Sequence, residues 1–415
     1  MQNESKALSV VCVQIANGYS PEFRVWDMVS RSDTSQLKAT VLYNYWGAAQ
    51  GDAPRFAARQ NRALAPTMHP VDFGWRSIAA GRSLPDRAIP YLRLAASLPK
   101  ALKLAREARP DVLYSSQQLW DCRVATFLAK RLKVPQVIHL HYHVGPWLHK
   151  PVLDRLRTCD HVVTVSEFIR EEALRHGVAS DRVTAILNTA DPLTEPPSGS
   201  REAVRAELGI APDAPFWGNI SRLDPQKGQG DILKAFARVV AQFPAARLLI
   251  VGTETPWEPG YRNRLEAMAK ELGIEKQVIF AGFRSDVPRL LAALDGFIHP
   301  SLKEPCALAL IEASQAGLPT IAYADGGTPE IVKHGVTGLL PSIETGPAGL
   351  AEAWAKLIAD PKAAQGMGKA AESRMRSAPF VPEFAARSFL ETLQQAARIP
   401  SPSAGNAAPI WGAAS

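Results

Sequence analysis

The sequence predicts an α/β protein built from two doubly wound domains, each a parallel sheet covered by helices. Three observations predict it. A chain of 415 residues is longer than one hydrophobic core organises. Both halves alternate short β-branched runs with longer amphipathic stretches, the rhythm of strand and crossover helix. Between them "DPLTEPPSGS", residues 191–200, is dense in Pro, Ser and Gly, which is linker composition. The expected organisation is therefore a first domain over 1–190, a linker over 191–200 and a second domain over 201–381. A final helix at 382–399 is available to pack back on the first domain, and 400–415 has the composition of a disordered tail.

In the first half the strand candidates are "LSVVCVQI", "ATVLY", "DVLYSS", "PQVIHLH" and "HVVTVS". The segment "IPYLRLAASLPKALKLAREARP" reads as a helix whose apolar stripe is Leu92, Ala95, Ala96, Leu98, Leu102 and Ala105. In the second half "PFWGNI", "ARLLIVG", "KQVIFAG", "LDGFIHP" and "LPTIAYA" are the strands, with helices such as "GDILKAFARVVAQFP" between them. Two such domains are expected to face each other across a cleft at the carboxyl ends of both sheets, where open α/β sheets bind ligands.

Composition narrows the class. An apolar fraction of 46% and a charged fraction of 21% are ordinary for a soluble globular enzyme. The first residues, "MQNESKALSVVCVQIANG", lack a basic leader, and their apolar run is too short for a membrane span, so they read as a buried strand. Cys12, Cys122, Cys159 and Cys306 show no paired spacing, as in a reduced, cytoplasmic chain. Charge is uneven: residues 1–190 hold 25 Lys+Arg against 16 Asp+Glu, and the remainder 22 against 24. Residues 55–109 alone hold eleven basic side chains against three acidic, with Phe56, Phe73 and Trp75 interspersed. No RNA- or DNA-binding motif accompanies them, so nucleic acid is not expected. They suit an anionic bilayer touched peripherally, or a lipid-linked or anionic acceptor, and ordinary solvated helix faces are the plain alternative.

Two stretches of the second half carry chemistry. In "SRLDPQKGQGDIL" Arg222 and Lys227 lie in a turn just before a helix, and two cations at a helix N-terminus suit a diphosphate. The spacing is not that of a P-loop. In "KEPCALALIEASQAGLP" Glu304 precedes a helix that Gly317 stops, and Glu312 lies within it. Eight helical residues rise roughly 12 Å, on the order of the separation between the two sugars of a nucleotide-diphospho-sugar. One carboxylate would hold the transferred sugar and the other the ribose diol. The first-turn amides at Cys306, Ala307 and Leu308 would face the phosphates. The plainer reading makes Glu304 a helix cap and Glu312 a solvated side chain.

Taken in order, "SRLDPQKG", "VIFAGF", "EPCALALIEASQAGLPTIA", "GGTPEIV" and "GVTGLL" resemble the retaining glycosyltransferases of the GT-B fold, family 4, over roughly 215–360. The likeness extends more weakly through "RPDVLY", "DHVVTVSEFIREEAL" and "DRVTAILNTAD". It implies two Rossmann-like domains, the second binding the donor and the first the acceptor. It implies that Arg222 and Lys227 neutralise the leaving diphosphate, that Glu304 contacts the donor sugar and that Glu312 contacts the ribose. The segment Phe283–Arg284–Ser285–Asp286–Val287 would lie against the base. Gly18 stands where the family often has paired glycines, and joins the donor-binding set. Cys306-Ala307 replaces the family's usual Phe-Gly, and the added methyl would restrict which sugar fits.

"HLHYHVGPWLH" places His139, His141 and His143 at strand alternation, on one face. As metal ligands they would need a fourth partner; a polar strand end is the plainer reading. The resemblance places one histidine near the reacting sugar, His141 by its spacing from Pro135, with His143 as the alternative. No Asp-x-Asp occurs, and two basic side chains with a helix N-terminus do the electrostatic work of a metal, so none is expected. The expected reaction is retaining transfer from a UDP- or GDP-linked sugar to an acceptor hydroxyl, in cell-envelope polysaccharide or glycolipid synthesis or on a soluble small molecule. Glu304, His141, Arg222 and Lys227 are its candidate catalytic residues. A sugar-nucleotide epimerase or hydrolase, or a non-catalytic binding protein, on the same fold is the rival.

Overall fold

The segment "LSVVCVQ" forms β1 (Leu8–Gln14), and the reason lies in its two apolar faces. Val10 and Cys12 join a core with Val41, Phe389 and Leu393, whereas Val11 and Val13 join another with Leu42, Phe73, Ala101 and Leu128. Alternate residues of a strand point to opposite faces, so a strand covered on both sides reads as an unbroken apolar run. In the computed structural model of the chain, residues 7–15, 36–44, 66–74, 84–145 and 147–398 are described. Two compact units divide the protein: Met1–Val165, Ile169–Ile186 and Pro382–Ser415 form one, and Ser166–Phe168 with Leu187–Val381 the other.

The first unit's strands continue with β2 (Leu37–Asn44), β3 (Thr67–Val71), β4 (Val112–Ser116), β5 (Gln136–Leu140), β6 (His161–Thr164) and β7 (Val183–Ala185). They pair in the order β3-β2-β1-β4-β5-β6-β7, all parallel. The helix Pro382–Ala396 lies in this unit, with Ala385, Phe389, Leu390 and Leu393 buried against β1 and its neighbours. Burying a Phe or Leu side chain contributes about 1.5–3 kcal/mol, so these contacts hold the helix firmly.

Two expectations for this unit are corrected. The helix Leu84–Ala108 buries Ala101 and Ala105 and packs Leu94, Leu98, Leu102, Leu104 and Ala108 against its core. Leu92 is 68% exposed, and Ala95 and Ala96 are exposed as well. The true stripe steps 94–98–101–105–108; Leu92, Ala95 and Ala96 lie off it, at other angles around the axis. Phe73 is a core residue, not a surface aromatic. Phe56 and Trp75 fall outside the described residues.

The second unit comprises β8 (Phe216–Ile220), β9 (Arg247–Val251), β10 (Val278–Gly282), β11 (Gly296–Ile298), β12 (Thr320–Ile321) and β13 (Gly338–Leu339). Their order is β10-β9-β8-β11-β12-β13, again parallel. In its core Trp354 packs against Trp217 and Phe236, with ring centroids 5.5 and 5.2 Å apart. Residues 191–199 carry no helix or strand and are mostly exposed. The helix Ser200–Glu207 is then pinned to this unit by Arg205, which is buried. Its guanidinium donates to Asp295 Oδ2 at 2.8 Å and to the carbonyls of Ala293, Ala211, Pro212 and Ala214. So many partners satisfy a charge that burial would otherwise make costly.

Candidate functional site

In the second sheet the chain order reverses between β8 and β11, and that is where open α/β sheets take ligands. Arg222 and Lys227 follow β8, and Glu304 follows β11. Lys227 ends a single 3₁₀ turn, Pro225–Lys227, which Asp224 caps by accepting from the Gln226 amide at 3.0 Å. Gly228 comes next at φ 73°, and a Cβ there would stand 2.4 Å from the Pro300 carbonyl oxygen. Glycine thus lets the β8 loop pass directly under the β11 loop.

Three groups converge on one oxygen of Glu304. Lys227 Nζ donates to Oε2 at 2.5 Å, Ser301 Oγ donates to it at 2.6 Å, and His299 Nε2 lies 3.7 Å away. Burial by itself would raise the carboxyl's pKa; Lys227 and His299 overcome it and hold Glu304 well below the usual carboxylate range. Burial likewise lowers His299, against the pull of Glu304, so an anion and a cation share a pocket with a neutral imidazole. The backbone of Glu304 is fixed too: Gly327 N donates to its carbonyl at 2.7 Å. A Cβ at Gly326, where φ is 59°, would meet that carbonyl at 2.5 Å. The paired glycines of "GGTPEIV" therefore make room for the Glu304-Pro305 backbone, Gly326 beside Glu304 and Gly327 beside the Pro305 carbonyl.

Glu304 is no helix cap. The helix spans Leu308–Gln315 with Ala307 as its N-cap, and no side chain caps it. The first turn therefore opens at Leu308, while the buried Cys306 and Ala307 precede it; Ala307, at ψ 104°, is still extended. This corrects the expectation that all three amides lie in the first turn. Glu312 is half-buried on that helix. Arg222 is exposed, its guanidinium 5.5 Å from the ring centre of Trp257.

At the end of β10 Phe283 is 70% exposed, a flat apolar face in water. Arg284 beside it is occupied within the protein: it donates to both oxygens of Asp286, at 2.8 and 2.7 Å, and to Glu207 at 2.7 Å. Its hydrogen bonds drive the Asp286 carboxyl down to about 2. Arg284 thus braces the loop that shows Phe283, and Val287 begins the helix Val287–Ala293 behind it. Gly18 falls outside the described residues.

In the first unit His139 and His141 stack with ring centroids 4.0 Å apart, as strand alternation expects. The Tyr114 hydroxyl lies 2.7 Å from His139 Nδ1, and the His141 amide donates to Gln117 Oε1 at 3.1 Å. Burial pushes His141 down to about 3, and burial and then His141 push His139 well below its ordinary value. Both are neutral. Both ring nitrogens of His141, His139 Nε2 and Gln117 Nε2 are buried without a hydrogen-bond partner. His143 does not join that stack: it is half-buried and accepts from Trp147 Nε1 at 3.3 Å. Among the described residues no three or more His, Cys, Asp or Glu side chains gather as metal ligands. All four cysteines are buried and none forms a disulfide.

Sequence reasoning did not single out Ser301, His299, Asp224, Trp257, Gln117 or the glycine pair as parts of the site. Asp-Pro in "LDPQKG" is a turn-capping signal that marks Asp224. Ser301 and His299 stand close before Glu304 on a strand end. Trp257 meets Asp224 across 33 residues, and no local pattern announces that.

Comparison with known proteins bears on the whole. A family model described as Glycosyl transferases group 1 matches residues 200–374, and one described as Glycosyltransferase Family 4 matches 48–192. The D-inositol 3-phosphate glycosyltransferase of Nocardia farcinica is 33% identical over 43% of this chain and 40% of its own length. The alpha-maltose-1-phosphate synthase of Mycolicibacterium smegmatis is 30% identical over 56% of this chain and 62% of its own length. The chain thus spans less than two thirds of these relatives. Among solved structures, HepE of Anabaena in complex with UDP and glucose aligns with a TM-score of 0.76 at 23% identity, over 94% of this chain and 100% of its own. Sucrose-phosphate synthase from Thermosynechococcus elongatus aligns with a TM-score of 0.71 at 21% identity, over 94% and 98%. The two α/β units have the GT-B fold, and the chain belongs to the group 1 glycosyltransferases.

Proposed function

We propose that the chain transfers a glycosyl unit from a nucleotide-diphospho-sugar to an acceptor hydroxyl with retention at the anomeric carbon. The observation that carries this reading is the contact of Lys227 with Glu304 at the β8/β11 switch point. It joins a cation suited to a departing diphosphate with a carboxylate suited to sugar hydroxyls. In an oxocarbenium-like transition state negative charge builds on the leaving diphosphate, and preformed cations stabilise it most. Arg222, Lys227 and the amide of Leu308 take that role; Glu304 orients the sugar; Glu312 holds the ribose; Phe283 offers its face to the base. Side chains and backbone suffice, with no divalent cation. His141, neutral and short of partners, serves an uncharged hydroxyl. The charges on the sugar side are all spoken for, so no covalent nucleophile is assigned.

HepE, with UDP or UDP-glucose in its crystals, favours a UDP-linked donor over a GDP-linked one. The relatives' names carry inositol phosphate, maltose phosphate and, in the N-acetyl-alpha-D-glucosaminyl L-malate synthase of Bacillus anthracis (33% identical over 40% of this chain and 42% of its own length), malate, which favours a small anionic acceptor. The excess of basic side chains in residues 1–190 suits such an acceptor. A lipid-linked acceptor is the second reading, favoured by exposed Tyr91 and Leu92 on the same helix as exposed Lys100 and Lys103. Thermal-shift titration with UDP-, GDP-, ADP- and TDP-linked sugars tests the first step, because a ligand of the native state raises the melting temperature. One donor is expected to stabilise the protein strongly, and it should then yield a glycosylated product with inositol phosphate or malate offered as acceptors. Absence of stabilisation by every donor sinks the proposal.

A further inference from the structure

Trp257, in the loop after β9, leaves 59% of its surface in water, an unfavourable place for an indole. Two contacts hold it there. Its Nε1–H donates to Asp224 Oδ2 at 3.1 Å, and the Arg222 guanidinium lies 5.5 Å from its ring centre. Asp224 is buried, and its other oxygen caps the Pro225–Lys227 turn. Gln229, also buried, completes the frame from below by donating to the Arg222 carbonyl at 2.8 Å and to Ser221 Oγ at 3.0 Å. A single exposed ring therefore touches Arg222 directly and reaches the Lys227 turn through one carboxylate. Among the described residues Arg222 forms no ion pair, so nothing but this ring holds its head group. A long exposed cation loses rotamer freedom when it closes on an anion. A surface that already holds it reduces that loss.

We infer that Trp257 is a positioning residue for the donor diphosphate. Its face holds Arg222 in place by a cation–π contact, and its N–H, through Asp224, steadies the turn that presents Lys227. Trp257 need not touch the ligand. The inference rests on the reading of Arg222 and Lys227 as the diphosphate site.

The test is calorimetric titration of the full chain with UDP and with inorganic pyrophosphate, which has no base or sugar to bind elsewhere. Trp257→Ala is expected to weaken both about threefold to tenfold, the range of one cation–π contact with one hydrogen bond. Trp257→Phe keeps a ring, loses the N–H and should recover part of the loss. In an Arg222→Ala background Trp257→Ala should cost clearly less than in the natural chain, a coupling that general loosening of the loop does not produce. Weakening by Arg222→Ala with none by Trp257→Ala removes Trp257 and leaves the diphosphate site standing. No weakening by either removes the site reading and the inference with it. Should Trp257→Ala melt early, Trp257→Phe in the same cycle decides, and strictly additive losses overturn the coupling.

Discussion

At the ends of β8 and β11 a lysine, a serine and a histidine surround one carboxylate, and of these four side chains only the histidine has buried atoms, its two ring nitrogens, without a hydrogen-bond partner. At the ends of β4 and β5 two stacked imidazoles and an amide are equally buried, but four of their polar atoms have none. The two sheets share the same strand order up to their sixth strand, so the fold does not dictate this difference. The side chains do. On the proposed reading the first site receives growing negative charge, and Lys227 is held in place beforehand by Glu304, since a preorganised charge costs nothing to arrange during the reaction. On the same proposed reading the second takes a neutral hydroxyl and keeps hydrogen-bonding capacity in reserve, at the cost of buried atoms left wanting.

The sharpest way to break this comparison is to remove the charges. Lys227→Ala and Arg222→Ala are each expected to lower turnover roughly 10²-fold or more, the scale of one lost electrostatic contact in a transition state. Melting temperatures should move little for Arg222→Ala, whose side chain is exposed. Near-normal product formation in both variants ends the role of the loop. Turnover should also survive exhaustive EDTA; loss restored by a divalent cation overturns the metal-free mechanism.

A second test divides the two carboxylates. Glu312→Gln is expected to weaken UDP and UDP-sugar alike, and Glu304→Gln to spare UDP while weakening the intact donor, each by about tenfold for a charged hydrogen bond. Equal losses for both ligands in both variants show that the two glutamates are not divided between sugar and ribose.

How much of this was legible follows from where each signal sits. Strands covered on both faces, such as β1, β5 and β9, announce themselves by unbroken apolar runs. The sequence reading missed β3, β7 and β13 for physical reasons. β3 is "TMHPV", an edge strand with Pro70 and only one buried residue, and the others are three and two residues long. Within the site, Lys227 and Glu304 were legible as separate motifs, but their contact joins residues 77 apart and belongs to the fold alone. The helix Leu84–Ala108 misled because alanines and leucines surround it, leaving two stripes to choose between.

A third, smaller effect concerns the neutral imidazoles. His141 is depressed to about 3, and His139 is depressed as well, by burial and then by His141. The unfolded chain takes up protons near pH 6.5 and the native protein does not, so this stability is present above that value. It is lost as pH falls from about 6.5 toward 3, at about 1.4 kcal/mol per pH unit for each proton. His141→Phe, which keeps a ring against His139, should flatten the pH dependence of the melting temperature over that window. An unchanged slope shows that His141 takes up its proton in the native state.

The smallest expected effect probes the basic first half. Each exposed cation near an anionic bilayer contributes about 1 kcal/mol and is screened within a Debye length. Sedimentation with anionic vesicles should show weak association, absent with zwitterionic ones and fading as salt rises from roughly 0.05 M to 0.5 M. No association at low salt leaves the small soluble acceptor as the sole reading. Among the described residues no helix is long and apolar enough to cross a membrane.

The helix Pro382–Ala396 has a consequence for how the protein is made. Ribosomes deliver the chain from its N-terminus, and domains generally fold as units while it emerges. Here the second unit, through Val381, is finished before this helix appears, and the first unit is not. Leu8, Val10 and Val41 wait for Phe389, Leu390 and Leu393 throughout synthesis of everything between. A nascent chain stalled just short of Pro382 therefore carries one closed unit and one with an apolar face in water. The half of the protein that is made first is the last to become safe from aggregation.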